Sequence, residues 1–278
     1  MLPANKIANN RRIEFLSFRI AVLLLAVCPA ALDARAGEPI DTDGPDFVES
    51  SEVVGKGRFQ FEADWSSERN RRDPAHRTTL STPTLLKLGV TATVELRLET
   101  AGWMRVTTSP VGAASSVETG TGDTAFGAKW HTQDRDAAAG TPAVSWILHF
   151  EAPTGSDGFK GHGIRPSLRS VITWDLPHDL ALGLMPGLKY DATPDGYRLV
   201  SGIFGAVLNK RWTETLRTFV ESSSPQIARS RDGGVLMLWD VGAAYLITND
   251  WQIGLRAGFS ANRNTSNSQL LFELAGRF

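Results

Sequence analysis

Charged residues recur at every second position in several segments of this chain, a pattern that points to the selection of ions or polar solutes. In the segment 94–99, Glu95, Arg97 and Glu99 alternate with valine and leucine. Residues two apart share one face of a β-strand, so acidic and basic side chains would lie side by side. Rings of such charges inside a channel decide which ions enter. Ten residues with this placement are the candidates for lining a lumen: Glu95, Arg97, Glu99, Lys129, Glu151, Arg165, Arg169, Asp240, Arg256 and Glu273.

Motifs of catalysis are missing from the sequence. There is no H-E-x-x-H, no G-x-S-x-G, no phosphate-binding glycine loop and a single cysteine, Cys28. We therefore expect a protein that is not an enzyme, without a catalytic, cofactor-binding or metal site. A lipid-hydrolysing barrel with a neighbouring serine and histidine is the closest enzymatic alternative. However, the position two residues after His149 is Glu151, which shares its face, and not a serine.

Residues 1–36 have the features of a secretory signal peptide. Four basic residues precede an apolar run over 20–32, and Ala34 and Ala36 flank a predicted cleavage site before Gly37. This run is shorter than the ~20 apolar residues that a membrane-spanning helix needs. We therefore expect export with cleavage, which leaves a mature chain without cysteine.

From residue 57 onward, apolar and polar residues alternate in segments of about 10–15 residues, the signature of membrane β-barrels. Near the C terminus, Leu270 and Phe272 fall on one face, whereas Glu273 and Arg277 fall on the other. On a lipid face, arginine or lysine would cost about 2–4 kcal/mol near the membrane midplane, so the charged face must point inward. The pattern predicts an all-β, transmembrane, antiparallel up-and-down β-barrel over residues 57–278, in the outer membrane of a bacterium.

We predict twelve strands, an even number as single-chain bacterial barrels have. Short connections at Thr91, 177–179, 212–213 and 248–250 alternate with longer ones, and 133–141 is a long exception. Barrels of this kind carry short turns on the periplasmic side and long loops outside. The predicted long loops are 68–77, 108–120, 155–163 and 224–233. The predicted strands are 57–67, 78–90, 92–107, 121–132, 142–154, 164–175, 180–192, 197–211, 214–224, 234–247, 251–263 and 268–278.

Residues 37–56 precede the first predicted strand and are rich in acidic side chains. Two interpretations of this segment stay open, a periplasmic tail and a plug folded into a lumen of mixed charge. The whole chain has 29 basic and 30 acidic residues, which gives no electrostatic footprint for nucleic acid. The acidic residues of the segment are Glu38, Asp41, Asp43, Asp46, Glu49 and Glu52.

Several segments together resemble a known family. They are Leu-Lys-Leu-Gly-Val-Thr at 86–91, followed by Val-Glu-Leu-Arg-Leu at 94–98; the acidic stretch 41–50 with 57–62; Gly-Thr-Gly-Asp at 120–123 with 127–130; and Pro-Thr-Gly at 153–155. These blocks are similar to those of the meta-pathway-of-phenol-degradation family, small outer-membrane proteins described as transporters. The resemblance spans the mature chain, with one departure: the family usually carries arginine where Gly44 stands, so any contact of that arginine is in doubt here.

The resemblance implies a passive transporter or channel for small solutes, hydrophobic or aromatic compounds among them. Expected partners are outer-membrane lipid, the barrel-assembly machinery during biogenesis and the solute itself, with no cofactor and no nucleic acid. The alternative is a structural or plugged barrel without transport. For the wall, we expect arginine at Leu148 or Leu182 to destabilise the barrel. Arginine at Gly183 should be tolerated better if the lumen has room.

Overall fold

The computed structural model describes residues 38–71, 75–192 and 196–278, so the predicted signal peptide lies outside the described residues. Within these ranges no helix is long and apolar enough to cross a membrane. One short 3-10 helix covers Ser230–Asp232. The strands are β1 (Phe59–Asn70), β2 (Ala75–Ser81), β3 (Thr84–Gly89), β4 (Val94–Thr100), β5 (Trp103–Pro110), β6 (Ser116–Thr121), β7 (Thr124–Gln133), β8 (Ala143–Ala152), β9 (Arg165–Leu176), β10 (Leu180–Ala192), β11 (Arg198–Arg211), β12 (Leu216–Ile227), β13 (Val235–Thr248), β14 (Trp251–Ser260) and β15 (Ser268–Arg277).

The strands form one antiparallel sheet that closes on itself. Around the wall the order is β1, β3, β4, β7 and then β8 to β15, and β15 pairs back with β1 from Gln60↔Arg277 to Arg69↔Ser268. The pairs β2/β3, β4/β5 and β6/β7 each continue one long strand. Counted in this way, the wall is a 12-stranded up-and-down barrel, so the predicted fold class and strand number are confirmed.

The wall is apolar outside and charged inside. Large apolar side chains such as Leu96, Phe126 and Leu255 are exposed on the outer face, whereas Glu95 and Lys129 on the inner face are fully buried. A soluble protein would bury the first set and expose the second. The strands therefore cross a membrane. The period-two alternation in the sequence is a direct consequence, because successive residues of each strand face lipid and lumen in turn.

A crease crosses the wall where three strands are interrupted side by side. Pro83, which has no amide hydrogen to donate, separates β2 from β3. Gly102, with φ of +65°, separates β4 from β5, and a Cβ there would lie 2.0 Å from the Thr82 carbonyl oxygen. Gly122 separates β6 from β7 next to Ala101. The prediction that 78–90 and 92–107 are uninterrupted strands is therefore wrong, because each is broken at the crease.

Beyond the crease, β2, β5 and β6 extend the wall past the rim. Because of this extension, the prediction of loops at 68–77 and 108–120 is wrong: the described residues of both ranges lie largely in strands. β6 pairs with β5 only, among the described strands. Its other edge is contacted by the loop after β8, where the Ser156 amide donates to the Thr121 carbonyl at 2.9 Å.

The two ends of the barrel differ in the length of their connections. Residues 90–93, 177–179, 212–215 and 249–250 make short turns at one end, which we call the turn end. The longer connection 134–142 also lies there and contains a bridge between Asp136 and Thr141. We call the opposite end, with the connections 153–164 and 261–267, the loop end. The rule for bacterial barrels places the turn end toward the periplasm.

Arginine in place of Leu148 should destabilise the barrel. Leu148 is exposed on the outer face in the middle of β8, opposite Ala128 and Leu168 on its two neighbours. We expect Leu148→Arg to lower the free energy of unfolding by about 2–4 kcal/mol, measured by reversible denaturation in lipid vesicles. Leu148→Met is the matched control and should change it by less than about 1.5 kcal/mol. Equal unfolding midpoints for the two variants would contradict the assigned outer face.

Candidate functional site

Residues 38–56, which we call the N-terminal segment, lie inside the barrel. Both ends of the segment are at the turn end: the Ile40 amide donates to the Asn249 carbonyl at 2.6 Å, and the Gly57 amide donates to the Gly89 carbonyl at 2.8 Å. Between these points the chain passes into the lumen and returns. The segment is therefore a loop inserted from the turn end, and it contacts inward-facing side chains of strands on both sides of the barrel.

Asp43 is the centre of the polar contacts. Its carboxylate lies 2.7 Å from Arg97 Nη1, 2.6 Å from Lys129 Nζ and 3.2 Å from Lys87 Nζ, and its side chain is 5% exposed. Burial by itself raises the pKa of Asp43, but the charges of Arg97, Lys129 and Lys87 outweigh burial and hold this pKa well below its usual range. Asp43 is therefore ionised in the lumen at neutral pH.

Glu49 makes a second ionic contact with the wall. Its carboxylate lies 2.7 Å from Arg97 Nη2 and 2.5 Å from Arg169 Nη1. The His149 ring sits between the two guanidinium groups, 3.2 Å from Arg97 Nε and 2.7 Å from Arg169 Nη2. Burial raises the pKa of Glu49, and Arg169 and Arg97 together lower it by more. Arg97 thus binds both Asp43 and Glu49 of the segment.

Glutamates of the wall hold the backbone of the segment. A carboxylate accepts backbone amide hydrogens whatever the side chains are, and charge-assisted hydrogen bonds of this kind are the stronger ones. These amides would otherwise be buried without partners. The pairs are the Asp43 and Gly44 amides on Glu62 (2.9 and 3.1 Å), the Phe47 and Val48 amides on Glu221 (2.9 and 2.7 Å) and the Val54 amide on Glu95 (2.9 Å).

An apolar cluster interrupts the charged lumen at the middle of the segment. Phe47 and Val48 pack there against inward-facing apolar side chains from five consecutive strands, β8 to β12. Apolar side chains inside a membrane barrel are unusual, because the lumen is generally polar. The cluster therefore forms an apolar constriction in this part of the lumen. Its wall residues are Ile147, Val171, Met185, Val207 and Phe219.

Inward-facing glycines of the wall make room for the segment. A Cβ at Gly205 would lie 2.6 Å from Val48 Cγ2, and one at Gly254 would lie 2.7 Å from Pro45 Cγ. At Gly183 the nearest atoms would be Val207 Cγ1 at 2.8 Å and Val48 Cγ1 at 3.1 Å. Glycine inside a strand commonly marks the close approach of another chain segment. The condition for tolerating arginine at Gly183, room in the lumen, is therefore not met, because Val207 and Val48 fill that space.

Gly44 lies against Glu273 of β15. A Cβ at Gly44 would be 2.2 Å from Glu273 Oε1, so a side chain here would meet this carboxylate directly. Glu273 is buried, and among the described residues it makes no salt bridge; Gln252 Nε2 lies 3.3 Å from its carboxylate. In the described part of this chain, no basic side chain therefore forms a salt bridge with Glu273 in place of the arginine that the resemblance implies at position 44.

All ten sequence-predicted lumen residues lie on the inward face, in three groups. The first group contacts or adjoins the N-terminal segment: Glu95, Arg97, Glu99, Lys129, Arg169 and Glu273. The second lies toward the loop end, where Arg165 Nη2 is 2.5 Å from Asp123 and 2.8 Å from Glu151. The third is on β13 and β14, where Asp240 accepts a hydrogen bond from Ser223 at 2.7 Å and Arg256 is half-buried.

Sequence reasoning missed the neutral partners of the segment. The Ser51 carbonyl oxygen accepts a hydrogen bond from Ser145 and lies 2.8 Å from His131 Nδ1, and Gln60 Nε2 donates to the Asp41 carbonyl at 2.9 Å. Charge alternation cannot identify such residues. The inward-facing glycines were a usable signal, since they mark where another chain segment approaches. In the described ranges, no group of three His, Cys, Asp or Glu side chains could hold a metal ion.

A water-accessible space remains beside the segment at the turn end. This cavity of about 530 Å³ lies between the segment and the walls of β9 to β14. Asp46 projects into it and binds Arg217 Nη1 at 3.0 Å. The segment therefore fills only part of the lumen at this end, and Val48 and Val207 of the apolar cluster line one side of the cavity.

Solved structures share this architecture. The COG4313 outer membrane channel from Pseudomonas putida superposes with a TM-score of 0.64 at 12% identity, over 84% of this chain and 99% of that chain. The β domain of the Bordetella autotransporter BrkA superposes with a TM-score of 0.51 at 14% identity, over 79% and 98%. At these identities the likeness shows the fold alone.

Sequence comparison gives a more specific result. A search of curated proteins finds no match to this chain. A family model described as "Putative MetA-pathway of phenol degradation" matches residues 42–278, which include the barrel and most of the N-terminal segment. Because this match covers most of the chain, the protein belongs to that family, and the resemblance seen in the sequence is confirmed.

Proposed function

We propose that this protein is an outer-membrane channel for small solutes that the N-terminal segment closes. The observation that carries this proposal is the way in which the lumen is filled. The blocking residues are a loop joined to the wall at Gly57 and held by ion pairs, hydrogen bonds and the apolar contacts of Phe47 and Val48. Contacts of these kinds form and break without unfolding the strands. Withdrawal of the segment toward the turn end would join the cavity there to the loop end.

Further features of the proposal follow from the family and from the composition of the wall. The solutes are small and include hydrophobic or aromatic compounds, as the phenol-degradation description of the family suggests. Lipid surrounds the apolar outer face, and the barrel-assembly machinery inserts the chain after the signal peptide 1–36 is removed. The N-terminal segment then acts as a periplasmic plug domain for the barrel 57–278, with the ten inward charges along the path.

An enzymatic role fits the lumen less well. Ser145 and His131 are in contact at 3.3 Å, and His131 Nε2 lies 2.8 Å from Asp134. However, Ser145 is fully buried, and its hydroxyl donates to the Ser51 carbonyl. These groups therefore secure the segment and leave no space for a scissile bond. His149, the other candidate base, is occupied by Arg97 and Arg169.

A disulfide between the segment and the wall tests the proposal. Val48→Cys with Gly183→Cys would form a suitable pair, because a Cβ at Gly183 lies 3.1 Å from Val48 Cγ1. With Cys28 replaced by serine, we expect the oxidised double variant to show no conductance in planar bilayers. Reduction with dithiothreitol should restore openings, because it releases the segment from the wall.

The two single-cysteine variants are the controls and should conduct alike under both redox conditions. Correct folding is checked by heat-modifiable gel mobility. If the oxidised and reduced double variants conduct equally, the segment does not close the path. If the parent and reduced proteins conduct nothing although they are folded, the barrel is permanently plugged and the channel proposal fails.

A further inference from the structure

We propose that the contacts of Phe47, Val48 and Glu49 mark a binding site for a small organic anion, one that has a carboxylate at one end and an apolar body at the other. Such a solute would compete with the N-terminal segment and so open the channel. This inference rests on the proposed function, because a site filled permanently by the segment could not serve a solute. It adds the chemical class of the solute.

The end of the site that would bind the carboxylate is formed by arginines whose charges the segment neutralises. Lys87 has a wall carboxylate, Glu62, at 2.5 Å, and Arg97 has Glu95 at 2.9 Å. Arg169 differs from both: among the described residues, Glu49 is the carboxylate that forms a salt bridge with it. Withdrawal of the segment would therefore leave Arg169 without a salt bridge at a half-buried position, and Glu99 would remain as the wall carboxylate whose charge acts on it. Guanidinium groups bind planar carboxylates well, so a carboxylate is the natural replacement.

The apolar end lies directly beside these arginines. Ile147 of β8 pairs across the sheet with Arg169 of β9. Val171 follows Arg169 by two residues and therefore shares its face. Directly paired residues have Cβ atoms about 5 Å apart. A solute whose carboxylate binds Arg169 would thus place an apolar body of a few carbon atoms on the cluster that Phe47 and Val48 now cover.

The segment itself carries the chemistry of the proposed solute. Phe47 and Val48 fill the apolar pocket, and Glu49, the next residue, binds Arg97 and Arg169. An aromatic or branched apolar group followed at once by a carboxylate is thus the occupant that this wall selects. A segment that only closed the lumen would need either the ion pair or the apolar contact. It would not need the two wall sites to be neighbours, nor the residues that fill them to be consecutive in the chain.

Accessibility of the segment gives the test. Ser51 is 1% exposed, and its hydroxyl has no hydrogen-bond partner among the residues that the structure describes, so Ser51→Cys is a mild reporter of withdrawal in a chain that carries Cys28→Ser. We expect benzoate and hexanoate to increase the rate of its labelling by a membrane-impermeant maleimide about tenfold at saturation. Acetate, which has little apolar body, and benzyl alcohol, which has no charge, should leave the rate unchanged.

Two arginine variants on the same strand separate a site from a general salt effect. Arg169→Gln should raise the benzoate concentration for half-maximal labelling about tenfold, the value of one charge-assisted hydrogen bond. Arg165→Gln is the matched control, since Arg165 binds Asp123 and Glu151 instead of the segment, and it should keep the parent response. Equal effects of both variants, or equal action of benzoate and benzyl alcohol, would overturn the proposed site. If the disulfide lock controls conductance while organic anions do nothing, the channel proposal stands and this inference fails.

Discussion

Asparagine in place of Asp43 should release the N-terminal segment from the lumen. The substitution removes the carboxylate that Arg97, Lys129 and Lys87 share, and it leaves these three buried cations with fewer partners. Removing one partner of a buried ion pair costs about 3–5 kcal/mol. If most of this cost falls on the docked state, withdrawal should become more frequent by a factor of about 10² to 10³. Maleimide labelling of Ser51→Cys and the open fraction in planar bilayers measure this change.

Asp41 provides the matched control for this substitution. It lies two residues earlier in the segment and forms no salt bridge among the described residues, and its side chain borders the cavity at the turn end. Asp41→Asn should therefore leave the labelling rate within about threefold of the parent rate. Equal rates for Asp41→Asn and Asp43→Asn would show that the three-cation contact does not hold the segment.

The same contact predicts how the closed state responds to acid. The pKa of Asp43 is held well below its usual range when the segment is docked. A lowered pKa stabilises the docked state above the usual pKa of an aspartate, and this contribution is lost as the pH falls through the lowered value. Acidification from pH 7 to pH 5 should therefore leave the Asp43 contact intact. The ratio of the Asp43→Asn labelling rate to the parent labelling rate should be the same at pH 7 and at pH 5.

Valine in place of Gly205 should force the segment out of the lumen by steric exclusion. The first added carbon would lie 2.6 Å from Val48 and 3.0 Å from Phe47, and the two methyl groups of valine need still more space. Overpacking of this kind costs about 1–3 kcal/mol, so withdrawal should increase by a factor of about 5 to 150. The wall should stay intact, because valine suits a β-strand better than glycine does.

Gly202→Val on the same strand is the control for this steric effect. Gly202 faces outward, where its nearest neighbour would be Ile227 Cβ at 3.3 Å, and it does not meet the segment. Its labelling rate and open fraction should match those of the parent protein. If Gly205→Val stays as closed as Gly202→Val, the segment can shift within the lumen without leaving it.

The alternation of residues was sufficient to predict the barrel, because lipid and lumen impose opposite preferences on neighbouring positions. Phe272 outside and Glu273 inside follow from this rule alone. The crease was not predictable in the same way. Gly102 and Pro83 interrupt their strands beside each other, which depends on how β2 and β5 pair. The extension was taken for loops because its residues, such as those of β6, face neither lipid nor a filled lumen.

The contacts of the segment lay beyond what the sequence could show. Alternation assigns Lys129 and Glu221 to the inward face, but it does not name the groups that they bind. Their partners are distant in the chain: 86 residues separate Lys129 from Asp43, and 173 separate Glu221 from Val48. An acidic stretch beside a mixed-charge lumen allowed either a plug or a tail, and only the spatial arrangement distinguishes them. The space at Gly183 could not be judged from the sequence for the same reason, because Val48 approaches it from a distant part of the chain.

The junction between the segment and β1 sets how any solute must compete. Gly55 and Gly57, with φ of +83° and +76°, adopt a left-handed backbone that favours glycine, and they join the segment to the wall without a break in the chain. A withdrawn segment therefore stays at an effective concentration of about millimolar, as groups on short tethers do. A free solute of equal intrinsic affinity has to reach a similar concentration before it keeps the segment out. Passage would thus begin only when the solute is abundant, and the lumen would close again as soon as the supply falls.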